Sequence, residues 1–209
     1  PNNVIISFLL DLFTTRISFF LSKKCTPWCL ITLLKEQFEI KKKIRIYKIF
    51  IMNKKYINIY NNLVNLTRNK NLYKSFKNQD TFSDRLTFFL IHFAFFLKEF
   101  KKDQSKKKIL QEIYDFIFKQ LELSIREIGY GDATINKKMK DYINVFYAII
   151  DKIDNWENIS LKDKEIILSN YLNLTSIDTK MIDYFDNYRL YLANKSLNSL
   201  LKGVINHKF

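Results

Sequence analysis

A chain of 209 residues, 47% hydrophobic and 27% charged, has the make-up of a folded globular protein and is long enough to bury one sizeable core. Its 35 lysines and arginines against 21 acids give a formal net charge of +14, which favours anionic partners: phosphate backbones, anionic lipid or acidic protein surfaces. Three glycines cannot supply a dinucleotide fingerprint, no GxxxxGKS/T run offers a phosphate loop, and the two histidines come without HExxH or a nucleophile elbow. The sequence therefore argues against an enzyme and offers neither a metal site nor a cofactor site.

Pro1 to Ile51 differs in composition from the rest of the chain. Both prolines (Pro1, Pro27), both cysteines (Cys25, Cys29) and Trp28 lie in it. Met52 opens the run MNKKYINIYNNLV, and the leading expectation is that the natural protein starts there, with residues 1–51 translated from upstream sequence. The alternatives are a membrane anchor over Val4 to Leu21 and a mitochondrial presequence. The anchor would hold Asp11 and Arg16 inside it, and an inserted charge costs roughly 2.5 to 3.5 kcal/mol at a helix centre. A presequence should be poor in acids, yet Glu36 and Glu39 intrude. Cys25 and Cys29 have no second pair of ligands near them, which argues against zinc.

Residues 52–209 read as one all-α domain of about six or seven helices, because no segment alternates with period two for long. Ile57, Tyr60, Val64 and Leu63 give a first stripe, and Leu72, Tyr73 and Phe76 a short second element. Ser83 or Asp84 is a candidate cap for the next helix. Leu86 to Leu97, LTFFLIHFAFFL, carries no charge but is shorter than the about 20 residues that span a bilayer. Leu86, Phe89, Leu90, Phe93 and Leu97 share one face, while Phe88, Phe95 and Phe96 fall largely outside it. Such a helix must be covered on all sides or offer a patch to a partner. His92, in its middle, is expected to be a hydrogen-bonded core residue.

Lys98 to Lys108 reads as a polar connector, with Ser105 a candidate cap. Ile113, Ile117, Leu121, Ile125 and Ile128 then recur at helical spacing up to a sharp turn. Gly129 can take the left-handed conformation that closes a helix, Gly131 is expected to let the chain turn, and Asp132 or Thr134 to cap the next helix. That helix is read as opening at Asn136, which would put Lys137, Lys138 and Lys140 near the positive end of its dipole. A solvated face or a site for an anionic partner would each account for the lysines. Tyr142, Val145, Phe146, Ile149, Ile150 and Ile153 continue the helix, and Asn155 to Asn158 break it. Ser160 with Asp163 approximates a capping box. The last helix opens near Ser176, Asp178 and Thr179, runs through Tyr184, Phe185, Tyr188, Leu192 and Leu197 to Leu201, and ends at Gly203.

Two ordered blocks carry a resemblance. REIGYGDATINKKMKDYINVFY, with Arg126, Glu127, Gly129, Gly131, Asp132, Lys137, Lys138, Met139, Lys140, Phe146 and Tyr147, resembles the signature of the ubiquinol-cytochrome c chaperone family. DTFSDRLTFFLIHFAFFLKEF resembles its second block, through Asp80, Thr81, Arg85, Ile91 and His92. The similarity runs from about Tyr56 to the C-terminus, with Lys77, Asn78 and Gln79 in place of the usual Gly-Val-Pro and Ser169 in place of a basic residue.

The resemblance implies a helical assembly factor that binds newly synthesised cytochrome b during construction of respiratory complex III. A partner-binding turn of Arg126, Gly129, Gly131, Asp132, Lys137, Lys138 and Lys140 would engage anionic loops, lipid head groups or ribosomal RNA. Phe89, Phe93 and Phe96 would cover apolar client segments. Other expected partners are the ribosome, an anionic membrane surface and a small assembly co-factor protein. The expected location is the bacterial cytoplasm, peripheral to the inner membrane, or the matrix face of the mitochondrial inner membrane. The alternative function is a basic RNA-binding or ribosome-associated module, with lysines on phosphates and tyrosines stacked on bases.

Overall fold

The computed structural model describes residues 35, 38–42, 55–74, 76, 81–174, 177–205 and 207. The chain divides into two units, Pro1–Ile51 and Met52–Phe209. In the first, residues 38–42 are helical; the expectations for Val4 to Leu21, Cys25 and Cys29 lie outside the described residues. The second is all-α, with no strand among its described residues.

Helix α1, described over residues 55–67, buries Tyr56, Ile59, Leu63 and Leu66. The face is rotated from the expected one, leaving Ile57, Tyr60 and Val64 half-buried at its margin. The reason lies in the polar atoms: Asn62 can be buried because its amide donates to the Gly203 carbonyl at 2.8 Å. A short 3-10 turn, Lys70–Tyr73, buries Leu72 and Tyr73. Helix α2, Phe82–Lys101, comes next. Its cap is Thr81 rather than Ser83 or Asp84. Thr81 accepts from the Asp84 amide and the Asp84 carboxylate accepts from the Thr81 amide, a reciprocal capping box.

Helices α3 (Lys107–Glu127), α4 (Asp132–Ile153), α5 (Leu161–Leu172) and α6 (Thr179–Ala193) all pack on α2, α4 and α6 most extensively. That arrangement answers the apolar run. Phe88, Phe93, Phe95 and Phe96 are each 0% exposed, and burying each side chain contributes roughly 2 to 3 kcal/mol. Phe93 stacks on Phe146 of α4 at 5.1 Å between centroids, and Phe95 on Phe185 of α6 at 5.5 Å. The helix is apolar all round because neighbours cover it all round.

His92 is a fully buried core residue. Its Nδ1 lies 2.6 Å from the Phe88 carbonyl oxygen, which can only accept, so Nδ1 carries the proton. Nε2, 2.7 Å away from the Tyr184 hydroxyl, is then the acceptor. Burial drives the His92 pKa down from 6.5 to about 4. The imidazole is neutral and ties α2 to α6.

The C-terminal stretch is two helices rather than one. Asp178 caps α6 by accepting from the Lys180 amide, and Asn194 closes that helix. Ser196 then accepts from the Ser199 amide to start α7, Leu197–Lys202. The gap between Leu192 and Leu197 exceeds one helical turn, so the stripe loses its phase there. Gly203 ends α7, and a Cβ there would lie 2.8 Å from the Ser199 carbonyl oxygen.

One polar cluster locks α5 to α6. Lys164 of α5 lies 2.9 Å from both carboxylate oxygens of Asp186 in α6, and the Trp156 indole N–H donates to the same carboxylate at 2.6 Å. Trp156 is itself wholly buried, so the turn after α4 is pinned to α6.

Candidate partner-binding surfaces

The α3–α4 turn is built around one residue in a left-handed conformation. Gly129 has φ +96°, and its amide donates to the Arg126 carbonyl at 2.9 Å. Gly131 differs from expectation. Its φ of −70° suits any residue, a Cβ there would meet nothing within 4 Å, and it serves as the N-cap of α4. Neither Asp132 nor Thr134 caps the helix. Asp132, in the first turn, instead pairs with the Arg126 guanidinium, which also donates to Glu122 at 2.9 Å and 3.0 Å. These hydrogen bonds, Asp132 first and Glu122 second, hold the guanidinium firmly protonated. Arg126 is therefore a clamp across the turn, already occupied by two carboxylates.

The lysines lie elsewhere than expected along α4. Because the helix opens at Asp132, Lys137 stands beyond its first turn, where the macrodipole has faded. The expected dipole penalty does not apply. Lys137 and Lys140 are exposed, and Lys138 is half-buried with its ammonium 4.7 Å from the centre of the Tyr130 ring. Tyr130 and Ile128 are themselves 43% and 52% exposed, so the turn offers apolar and basic groups side by side. Lys140 faces a shallow cleft shared with Lys119, Glu122, Asn136 and Met139.

Phe89, Phe93 and Phe96 belong to a different part of the molecule. They are 6%, 0% and 0% exposed, so in this conformation none presents a surface to a client. Covering by α3, α4 and α6 is the physical reason.

A groove not anticipated from the sequence runs between the C-terminal end of α2, the start of α3 and the second half of α4. It encloses about 400 Å³. Leu97, Leu110, Phe146 and Ile150 line its floor, and Tyr114 and Tyr147 form a wall with ring centroids 6.3 Å apart. Burial, and then the hydrogen bond between the two phenols, raises the Tyr114 pKa above its usual value. Lys98, Lys101, Lys107 and Asp154 stand around it. The signal that marks it is Tyr147, which adjoins Phe146 on the polar side of the α4 stripe and is 56% exposed.

Among the described residues no group of three or more His, Cys, Asp or Glu side chains could hold a metal ion. No described helix is long and apolar enough to cross a membrane.

Comparison with known proteins comes down on the same stretch. The family model described as "Ubiquinol-cytochrome C chaperone" matches residues 74–166, narrower than the span from Tyr56 to the C-terminus that the motifs suggest. A crystal structure of the Cbp3 homolog from Brucella abortus is similar in fold, with a TM-score of 0.57, 23% identity, and cover of 84% of this chain and 97% of that one. No curated protein matches the chain.

Proposed function

We propose, on the premise that residues 74–166 place this chain in the ubiquinol-cytochrome C chaperone family, that it is an assembly chaperone for newly synthesised cytochrome b during construction of respiratory complex III. The observation that carries the reading is the extent of the family match. It takes in α2, the α3–α4 turn and the whole of α4, and so includes the central helix and every surface group described at the turn.

The chemistry of the turn suits such a task. Lys137, Lys138 and Lys140 offer ammonium groups to anionic loops or head groups, while Ile128 and Tyr130 offer apolar contact beside them. Arg126 and Asp132 hold the turn in shape rather than touching the client. Phe89, Phe93 and Phe96 serve as the rigid platform on which α4 is mounted. The role is one of binding: His92 is held in the core and His207 packs on Tyr184 at 4.6 Å between ring centroids. The protein works at the membrane face on which cytochrome b is made, either the bacterial inner membrane or the matrix side of the mitochondrial one.

Affinity co-purification of the tagged chain from membranes tests the reading. Cytochrome b should accompany the native chain, and its recovery should fall about tenfold with Lys137→Glu/Lys138→Glu/Lys140→Glu, as loss of charge complementarity predicts. Recovery of ribosomal RNA without cytochrome b would contradict it and favour the RNA-binding alternative.

A further inference from the structure

The groove between α2, α3 and α4 is separate from the turn that the proposed function uses. Its floor is aliphatic and aromatic, whereas its margin is polar and cationic. Three of the charged groups around it are lysines, Lys98, Lys101 and Lys107, against the single carboxylate of Asp154. Lys98 is already engaged, donating to the Ile153 carbonyl at 2.6 Å, and its partial burial lowers its pKa. Lys101 and Lys107 are exposed, and their ammonium groups make no hydrogen bond or ion pair with another described residue. Two uncompensated cations therefore stand beside an apolar trough.

Three classes of occupant are distinguished by this pattern. A lipid acyl chain needs a site that encloses most of its surface, and here the exposed Tyr147, Gln104 and Gln111 leave one side open. A nucleic acid strand needs successive cations along a backbone and free ring faces for its bases, whereas the two wall rings, Tyr114 and Tyr147, stack on each other and the rest of the open lining, Leu97 and Ile150, is aliphatic. An amphipathic helix meets both halves of the pattern, with a stripe of apolar residues on the floor and acidic residues beside Lys101 and Lys107. The excess of positive charge selects an acidic one.

We propose that this groove docks an acidic amphipathic helix of a partner protein, its apolar stripe on the half-buried Leu97 and Ile150 and the Tyr114–Tyr147 wall, and its carboxylates against Lys101 and Lys107. The site is argued independently of the client reading.

The test uses the full chain and two designed helical peptides with the same leucine stripe, one flanked by glutamates and one by lysines. Fluorescence anisotropy should show the glutamate peptide binding at least about tenfold more tightly, with affinity falling as salt is raised. Lys101→Glu/Lys107→Glu should reverse that preference, and both positions are exposed, so the fold should be retained. Tyr147→Ala should weaken either peptide by removing half of the wall. Equal affinity for the two peptides, binding of neither, or an unchanged preference in the double variant would overturn the proposal. So would vesicles of anionic phosphatidylglycerol that bind the native chain, displace the glutamate peptide and lose affinity in the double variant, since the groove would then be a lipid site. Cytochrome b takes no part in these measurements, so their failure would leave the client assignment standing.

Discussion

His92 shows how one side chain couples the core to solvent conditions. Its neutral imidazole accepts from the Tyr184 hydroxyl and donates to the Phe88 carbonyl, and a second ring proton on Nε2 would displace the hydrogen bond from that hydroxyl. In the unfolded chain the group titrates at its ordinary 6.5, whereas in the folded chain burial, chiefly, takes it down to about 4. The unfolded state therefore gains the proton first as pH falls. Stability is full above about pH 6.5, declines towards pH 4 and flattens below it, and the part lost between pH 7 and pH 5 is about 2 kcal/mol. Urea unfolding of the native chain and of His92→Gln checks this. The difference in stability between them should shrink by about that amount over the interval, because glutamine keeps a polar tip without the titration. His207, whose pKa burial also lowers, is present in both chains, so most of its own contribution is common to them. A constant difference across the interval would show that His92 is not held neutral.

At the scale of the element, the α3–α4 turn separates what local sequence can say from what it cannot. Gly129 is legible because only a residue without Cβ sits comfortably at φ +96°, and a glycine just past the last periodic isoleucine announces that position. Gly131 looks the same on paper, yet its extended backbone makes no demand for glycine. Gly129→Ala should cost about 1 to 2 kcal/mol, while Gly131→Ser should be neutral or add a few tenths of a kcal/mol by supplying the missing cap. Paired thermal melts decide the point, and equal losses in both would place the constraint outside the backbone. Sequence alone misplaces a cap by a residue or more where several Ser, Thr or Asp side chains stand together, as at Thr81, Ser83 and Asp84. The choice among them depends on where the chain enters the helix, which packing decides. The early start of α4 belongs to the same class: Gly131 to Ile135 carries no apolar period, so the helix reads as beginning at the lysines until Ile135 is found wholly buried.

Over the whole molecule, the all-α class is legible in periodicity, and a run of uncharged residues too short to cross a membrane marks α2 as a helix that is either covered by others or offered to a partner. Which faces remain uncovered is not legible. Phe89, Phe93 and Phe96 are as apolar in sequence as any client-binding patch, and only the positions of α3, α4 and α6 turn them into core. The groove with Tyr114 and Tyr147 is the converse: its lining comes from two separate stretches, residues 97–114 and 146–154, and neither shows it alone. The net charge of +14 spreads lysines over the whole chain, so composition alone does not mark Lys137, Lys138 and Lys140. The family match over residues 74–166 is what singles out the region around them.

Quantifying assembled cytochrome b in cells depleted of this chain tests the proposed chaperone role most directly. Haem-loaded cytochrome b should fall on depletion, recover when the native chain is restored, and stay low with Lys137→Glu/Lys138→Glu/Lys140→Glu although that variant accumulates normally. Cytochrome b that persists unchanged in the depleted cells would contradict that role.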